Sequence, residues 1–132
     1  MYLIPGVPPV EHYFDQVLTA LRTVRLHEAG LQENAIHDAL SDALKSAGIA
    51  HRREHTFAPR CRADLWVQGI CIEVKKQRPP RASLLAQLTR YADQPNLHGL
   101  IVVMERSVNL PAEIAGKRVA MLSLNALWGI AL

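Results

Sequence analysis

Along the chain, apolar positions recur every three to four residues in some stretches and every second residue in others, and each change of period marks a change of element. From Arg62 to Lys75, the residues Leu65, Val67, Ile70, Ile72 and Val74 alternate with the rest, and Gln68-Gly69 stands between the two runs. This predicts a two-residue hairpin in which Gly69 supplies the positive φ of the turn. Upstream, Val10, Tyr13, Phe14, Val17, Leu21 and Val24 form a helical stripe opened by Pro8-Pro9. A second helix, over 31–47, carries Ile36, Leu40, Ala43, Leu44 and Ala47 and stops at Gly48, with Gly30 separating the two helices. Downstream, Pro79-Pro80 end the hairpin strand, and Ser83 is placed to cap a helix with Leu84, Leu85, Leu88, Tyr91 and Ala92 on its apolar side. Gly99 to Met104 is continuously apolar, as expected for a strand buried on both faces and paired in parallel through the preceding helix. A short helical turn over 111–115 and a last strand over 118–124 complete the pattern, leaving 125–132 as an apolar tail with Trp128. His51 and His55 alternate with charged residues on a polar, edge-like strand and read as surface.

The hairpin register carries the chemistry. With Val67 opposite Ile70, Asp64 lies opposite Glu73; the five aliphatic residues share one face, and Asp64, Glu73 and Lys75 share the other. Carboxylates about 5 Å apart across two strands repel by about 3 kcal/mol at an effective dielectric of 20. A positive group is expected between them, either Lys75 or, better, a divalent cation. Mg²⁺ (or Mn²⁺) suits a set made of Asp64, Glu73, the Val74 carbonyl and waters. Such an ion lowers the pKa of a bound water, and Lys75 can orient that water or neutralise a phosphate. Glu33 precedes Ile36, Leu40 and Leu44 at helical spacing, near the centre of the stripe. It either supports the metal from there or sits in the first turn, where it suits the helix dipole and reaches water. His37, one turn on, reads as a satisfied or half-exposed histidine. Gln87 and Tyr91, four apart, stack on one helix face, where Gln87 can bond a metal-bound water or the substrate and Tyr91 can pack beneath it.

The order Glu33, Asp64, Glu73-Val74-Lys75, Gln87-x-x-x-Tyr91 resembles the PD-(D/E)xK nuclease superfamily. It is similar to the branch with the Gln-x-x-x-Tyr element, which includes RecB-type nucleases and lambda-type exonucleases. The resemblance spans Leu31 to about Met104. It implies an α/β, restriction-endonuclease-like αβββαβ core, a mixed central sheet flanked by helices, with a helical Glu, a metal-binding Asp and Glu, a catalytic Lys and a substrate-orienting Gln. Ala63 stands where the motif's name has Pro. On this division, residues 1–30 are an N-terminal amphipathic extension and 31–132 the nuclease-like domain. The extension is expected to pack on the same chain rather than form a dimer seam.

Composition sets the remaining bounds. At 132 residues, 49% hydrophobic and 20% charged, the chain can bury one core. No run approaches a membrane span and no signal-peptide pattern opens the chain, so a cytoplasmic location is expected. On the proposed register Cys61 faces the aliphatic side and Cys71 the opposite one, which disfavours a disulfide. The net charge is only +3, yet nine of the fifteen basic residues fall between Arg52 and Arg90. Arg62, Lys76, Arg78, Arg81 and Arg90 are placed to follow a phosphate backbone. Aromatic residues are 5% of the chain, so no base-stacking platform is evident. The expected activity is metal-dependent phosphodiester hydrolysis, in DNA foremost, by a homodimer or as part of a larger nuclease assembly. The alternatives are a non-catalytic nucleic-acid-binding subunit of a repair or defence assembly, and a scaffold protein using its N-terminal helix and Trp128 tail.

Overall fold

A computed structural model of the chain describes residues 10–25 and 32–124, with side chains from Tyr13 onward. Pro8-Pro9, Gly30 and the tail with Trp128 lie outside the described residues. The elements run α1 (Val10–Arg22), α2 (Glu33–Ser46), β1 (Arg52–Ala58), β2 (Cys61–Val67), β3 (Ile70–Lys75), α3 (Arg81–Ala92), β4 (Gly99–Met104), β5 (Glu113–Ile114) and β6 (Lys117–Ser123). The strands form one six-stranded mixed sheet in the order β1-β2-β3-β4-β6-β5. β1, β2 and β3 pair antiparallel, β3, β4 and β6 parallel, and β5 antiparallel to β6. This is an α/β architecture.

The hairpin forms in the expected register, with Val67 opposite Ile70, Trp66 opposite Cys71 and Leu65 opposite Ile72. Both turn residues are left-handed, Gln68 at φ 44° and Gly69 at φ 93°, the combination of a primed turn. Gly69 is needed twice over, because a Cβ there would collide with the His98 ring. The Gly69 carbonyl also accepts the His98 amide at 2.7 Å, tying the turn to the start of β4.

Two apolar layers enclose the sheet. Leu65, Val67, Ile70, Ile72 and Val74 pack with α1 and α2, whereas Cys71, Leu100 and Val102 pack with Leu84 and Leu88 of α3. β4 alternates between the layers, Ile101 and Val103 to one and Leu100, Val102 and Met104 to the other; hence its unbroken apolar run. Helix α1 docks on the same chain through Phe14, whose ring lies where a Gly99 Cβ would be, 2.7 Å away. The Arg118 guanidinium sits 4.5 Å from the centre of that ring and bonds Asp15 at 2.7 Å.

Several local expectations are corrected. Helix α3 starts at Arg81 with Pro80 at its N-cap, so Ser83 lies inside the first turn and does not cap it. The 111–115 segment holds a two-residue strand, Glu113–Ile114, and not a helical turn: Ala115 (φ 51°) and Gly116 (φ 75°) turn left-handed and pair Ile114 with Lys117. His51 is not a surface residue. Its Nδ1–H donates to the Ile49 carbonyl at 3.0 Å, leaving Nε2 to accept from the buried Ser41 hydroxyl at 2.6 Å. His55 is half-buried against the Trp66 ring, centroids 5.2 Å apart. Among the described residues no helix is long and apolar enough to cross a membrane.

Candidate functional site

Strand β2 changes face at Asp64. Cys61 and Ala63 point into the α3 layer, but Leu65 and Val67 point into the α1/α2 layer. Side chains two apart on a regular strand share a face, so the strand turns about its axis between Ala63 and Leu65. The neighbouring strand shows the same break. Arg53 pairs with Leu65 and His55 with Ala63, while Glu54 between them adopts a left-handed φ of 49°. This corrects the expectation for Cys61: it shares the α3 layer with Cys71, and both thiols are free and buried.

The turn leaves Asp64 at the rim between the two layers. Pairing of β2 with β3 reaches only Leu65 opposite Ile72, and Asp64 fills the gap beyond it, its Oδ2 accepting the Val74 amide at 2.8 Å. The amide and carbonyl of one strand residue point to the same edge, so the Val74 carbonyl faces this gap as well. Glu73, opposite in the extrapolated register, projects into the α3 layer and is only 5% exposed. Its Oε2 accepts from the Gln87 amide at 2.8 Å and lies 3.4 Å from the Lys75 ammonium. Its Oε1 is buried and unpartnered among the described residues. Burial foremost, and then the nearby Asp64 charge, raise the Glu73 carboxyl from the ordinary range to about 7, against the lowering pull of Lys75.

Helix α3 braces this carboxylate. Gln87 Nε2 also donates to the Tyr91 hydroxyl at 3.2 Å, and Tyr91 donates to the Arg62 carbonyl at 2.9 Å. Burial raises the Tyr91 phenol, keeping it a proton donor. Burial and Glu73 likewise push the Cys71 thiol well up, so it stays neutral beneath the site. Gln87 therefore acts on Glu73 directly, and Tyr91 fixes Gln87.

The helix carrying Glu33 is placed differently from expectation. Helix α2 packs on the aliphatic face, so Glu33 is not at the centre of the buried stripe: it is an exposed first-turn residue, the dipole-compatible alternative. His37, one turn later, is the residue of α2 that reaches the site. It is 8% exposed, its Nε2 lies 3.7 Å from Asp64 Oδ2, and that nitrogen has no hydrogen bond among the described residues. The signal for it was its place one turn after Glu33. The displacement of Asp64 to the rim, which brings it to His37, is not visible in the alternation of residues.

The basic residues divide. Arg81 Nε donates to the Asn109 carbonyl and Arg90 Nε to the Arg60 carbonyl, each at 3.3 Å. Arg62 is exposed, and Lys76 and Arg78 line a cleft beside Lys75. Among the described residues no three His, Cys, Asp or Glu side chains already stand in a coordinating group. The arrangement is instead a close acid pair with a lysine, a histidine and a backbone carbonyl at its margin. No family model, curated protein or solved structure matches this chain.

Proposed function

We propose that the chain is a metal-dependent nuclease with a restriction-endonuclease-like fold, hydrolysing phosphodiester bonds, foremost in DNA. One observation carries the reading: a buried carboxylate, Glu73, keeps one oxygen unpartnered next to a second carboxylate, Asp64. A buried acid pair with an open lone pair is unfavourable in isolation and becomes favourable around a cation. The succession α2-β1-β2-β3-α3-β4 also follows the αβββαβ order that the sequence resemblance implies.

The donor set fits a hard divalent ion. Asp64, Glu73 and the Val74 carbonyl would hold Mg²⁺ or Mn²⁺ together with waters, with His37 at the margin. When bound, the ion supplies an acidified water and offsets charge on a phosphoryl oxygen. The chain's own groups do the rest. Gln87 fixes Glu73 through Oε2 and leaves Oε1, which has no hydrogen bond among the described residues, as the oxygen that would meet a cation. Lys75, on the same carboxylate, orients the attacking water and offsets charge developing on the phosphate as the ammonium, or takes the water's proton as the neutral amine. Asp64 stays in the gap because the Val74 amide holds it there.

The test is cleavage of supercoiled plasmid by the full chain in Mg²⁺ or Mn²⁺, against an EDTA control. Asp64→Asn, Glu73→Gln and Lys75→Met should each lower the rate by about 10²-fold or more, with the fold retained by circular dichroism. A wild type that leaves the plasmid intact at high enzyme concentration overturns the proposal, and DNA binding without cutting would favour the non-catalytic subunit instead.

A further inference from the structure

Beyond Lys75, the carboxyl ends of the parallel strands β3 and β4 open into a cleft of about 480 Å³. That volume lies within the range of small-ligand sites, about 300–1,000 Å³. Its lining includes Lys75, Lys76, Arg78 and Arg106 against a single carboxylate, Glu105. Arg78 and Arg106 are both exposed and have no ion pair or hydrogen bond among the described residues, in contrast to Arg81 and Arg90, which bond backbone carbonyls. Lys75 is already engaged by Glu73, so Arg78 and Arg106 supply the open positive charge of this concavity, and such charge concentrates anions there. The position is also where open α/β sheets bind ligands, outside the carboxyl ends of neighbouring parallel strands. Arg106 lies beyond Arg90 in sequence, outside the basic segment, and only the parallel pairing of Lys75 with Met104 brings it alongside.

We infer that this cleft is a backbone-phosphate subsite, in which Arg78 and Arg106 grip the phosphate adjoining the one presented to Asp64, Glu73 and Lys75. Lys75 belongs to both the cleft and the acid pair, so a polynucleotide strand lying in the cleft leads directly to the site. The inference rests on the nuclease reading for the identity of the polyanion, and on the cleft's own charge for the binding.

The experiment measures binding of the full chain to short fluorescent DNA and RNA duplexes of one sequence, by anisotropy in EDTA over a salt series. Arg78→Ala/Arg106→Ala should weaken binding at least about tenfold and make the slope of log K against log salt shallower by about 0.9, as expected for one lost phosphate contact. Arg22→Ala/Lys45→Ala removes the same charge from α1 and α2 and should change affinity less than about twofold. Equal effects of the two pairs, or a wild type that binds neither duplex at low salt, overturn the inference; a larger loss with one duplex identifies which backbone is held. Plasmid cleavage in Mg²⁺, run in parallel, separates the two claims. A wild type that does not cut but loses binding in the Arg78/Arg106 variant keeps the cleft and removes the nuclease. An active wild type whose variant binds normally does the reverse.

Discussion

Glu73 is the residue on which the site's energetics turn, because the fold pushes it away from water and toward Asp64. Its carboxyl, raised to about 7 chiefly by burial, keeps a proton that the unfolded chain releases at the ordinary carboxylate pH. The folded state thus binds more protons across that interval. Its stability is fully present on the acid side and declines as pH rises through about 7. Urea unfolding of the metal-free chain should accordingly show lower stability near pH 8.5 than near pH 5.5, by about 2 kcal/mol. Glu73→Gln, which keeps the Gln87 contact without the charge, should flatten that difference; an equal pH slope in the variant would assign it to other groups. The hairpin register from Leu65 to Ile72 was legible from the alternation, but the shared face expected for Asp64 and Glu73 was not kept, because β2 turns at Asp64 and leaves it at the rim. The role of His37 was not legible, since it depends on a half-turn of β2 that no residue pattern announces.

At the scale of elements, α3 is held at its carboxyl end by a residue far away in sequence. The Lys117 ammonium donates to the carbonyls of Ala92, Gln94 and Leu97 at 3.1, 3.1 and 2.7 Å. These oxygens are at or just beyond the helix end, where the partial negative charge of the dipole collects. Lys117→Met should cost about 2 kcal/mol in denaturant unfolding and loosen the helix that presents Gln87. Lys45→Met, at the exposed end of α2, serves as a control expected to change stability by less than about 0.5 kcal/mol. Helices α1 to α3, the hairpin and β4 were readable because their periodicity is local. Strand β5 was not: two residues are too few for a period, and the left-handed Ala115 beside Gly116 decides the turn. Lys117 stands just outside the strand expected over 118–124, and its role is not legible in sequence because its partners lie 20 to 25 positions away.

Across the whole molecule, the sheet is a partition between two apolar compartments, and the acid pair sits where that partition is open. Helix α1 is part of the larger compartment, with Phe14, Val17, Leu18, Leu21 and Val24 buried against α2 and the sheet. Phe14→Ala would empty the space over Gly99 and remove the ring under Arg118. It should cost about 3–4 kcal/mol and lower the near- and far-ultraviolet dichroism transitions together. Separate transitions would mean that α1 melts independently of the sheet. The layered α/β organisation follows from element order and apolar stripes, as the alternation of β4 between compartments shows. The cleft at the ends of β3 and β4 could not be foreseen, because it joins residues from both strand exits.

The missing rung between β2 and β3 has a consequence that can be followed by magnetic resonance. The Val74 amide is tethered by a carboxylate rather than by a peptide oxygen, so its hydrogen-exchange rate reports the posture of Asp64. Titrating Mg²⁺ should perturb the Val74 ¹H–¹⁵N signal and change its exchange with deuterium, while Ile101 and Val103 at the centre of the sheet stay protected throughout. A Val74 signal indifferent to the titration would mean that Asp64 never turns toward the ion.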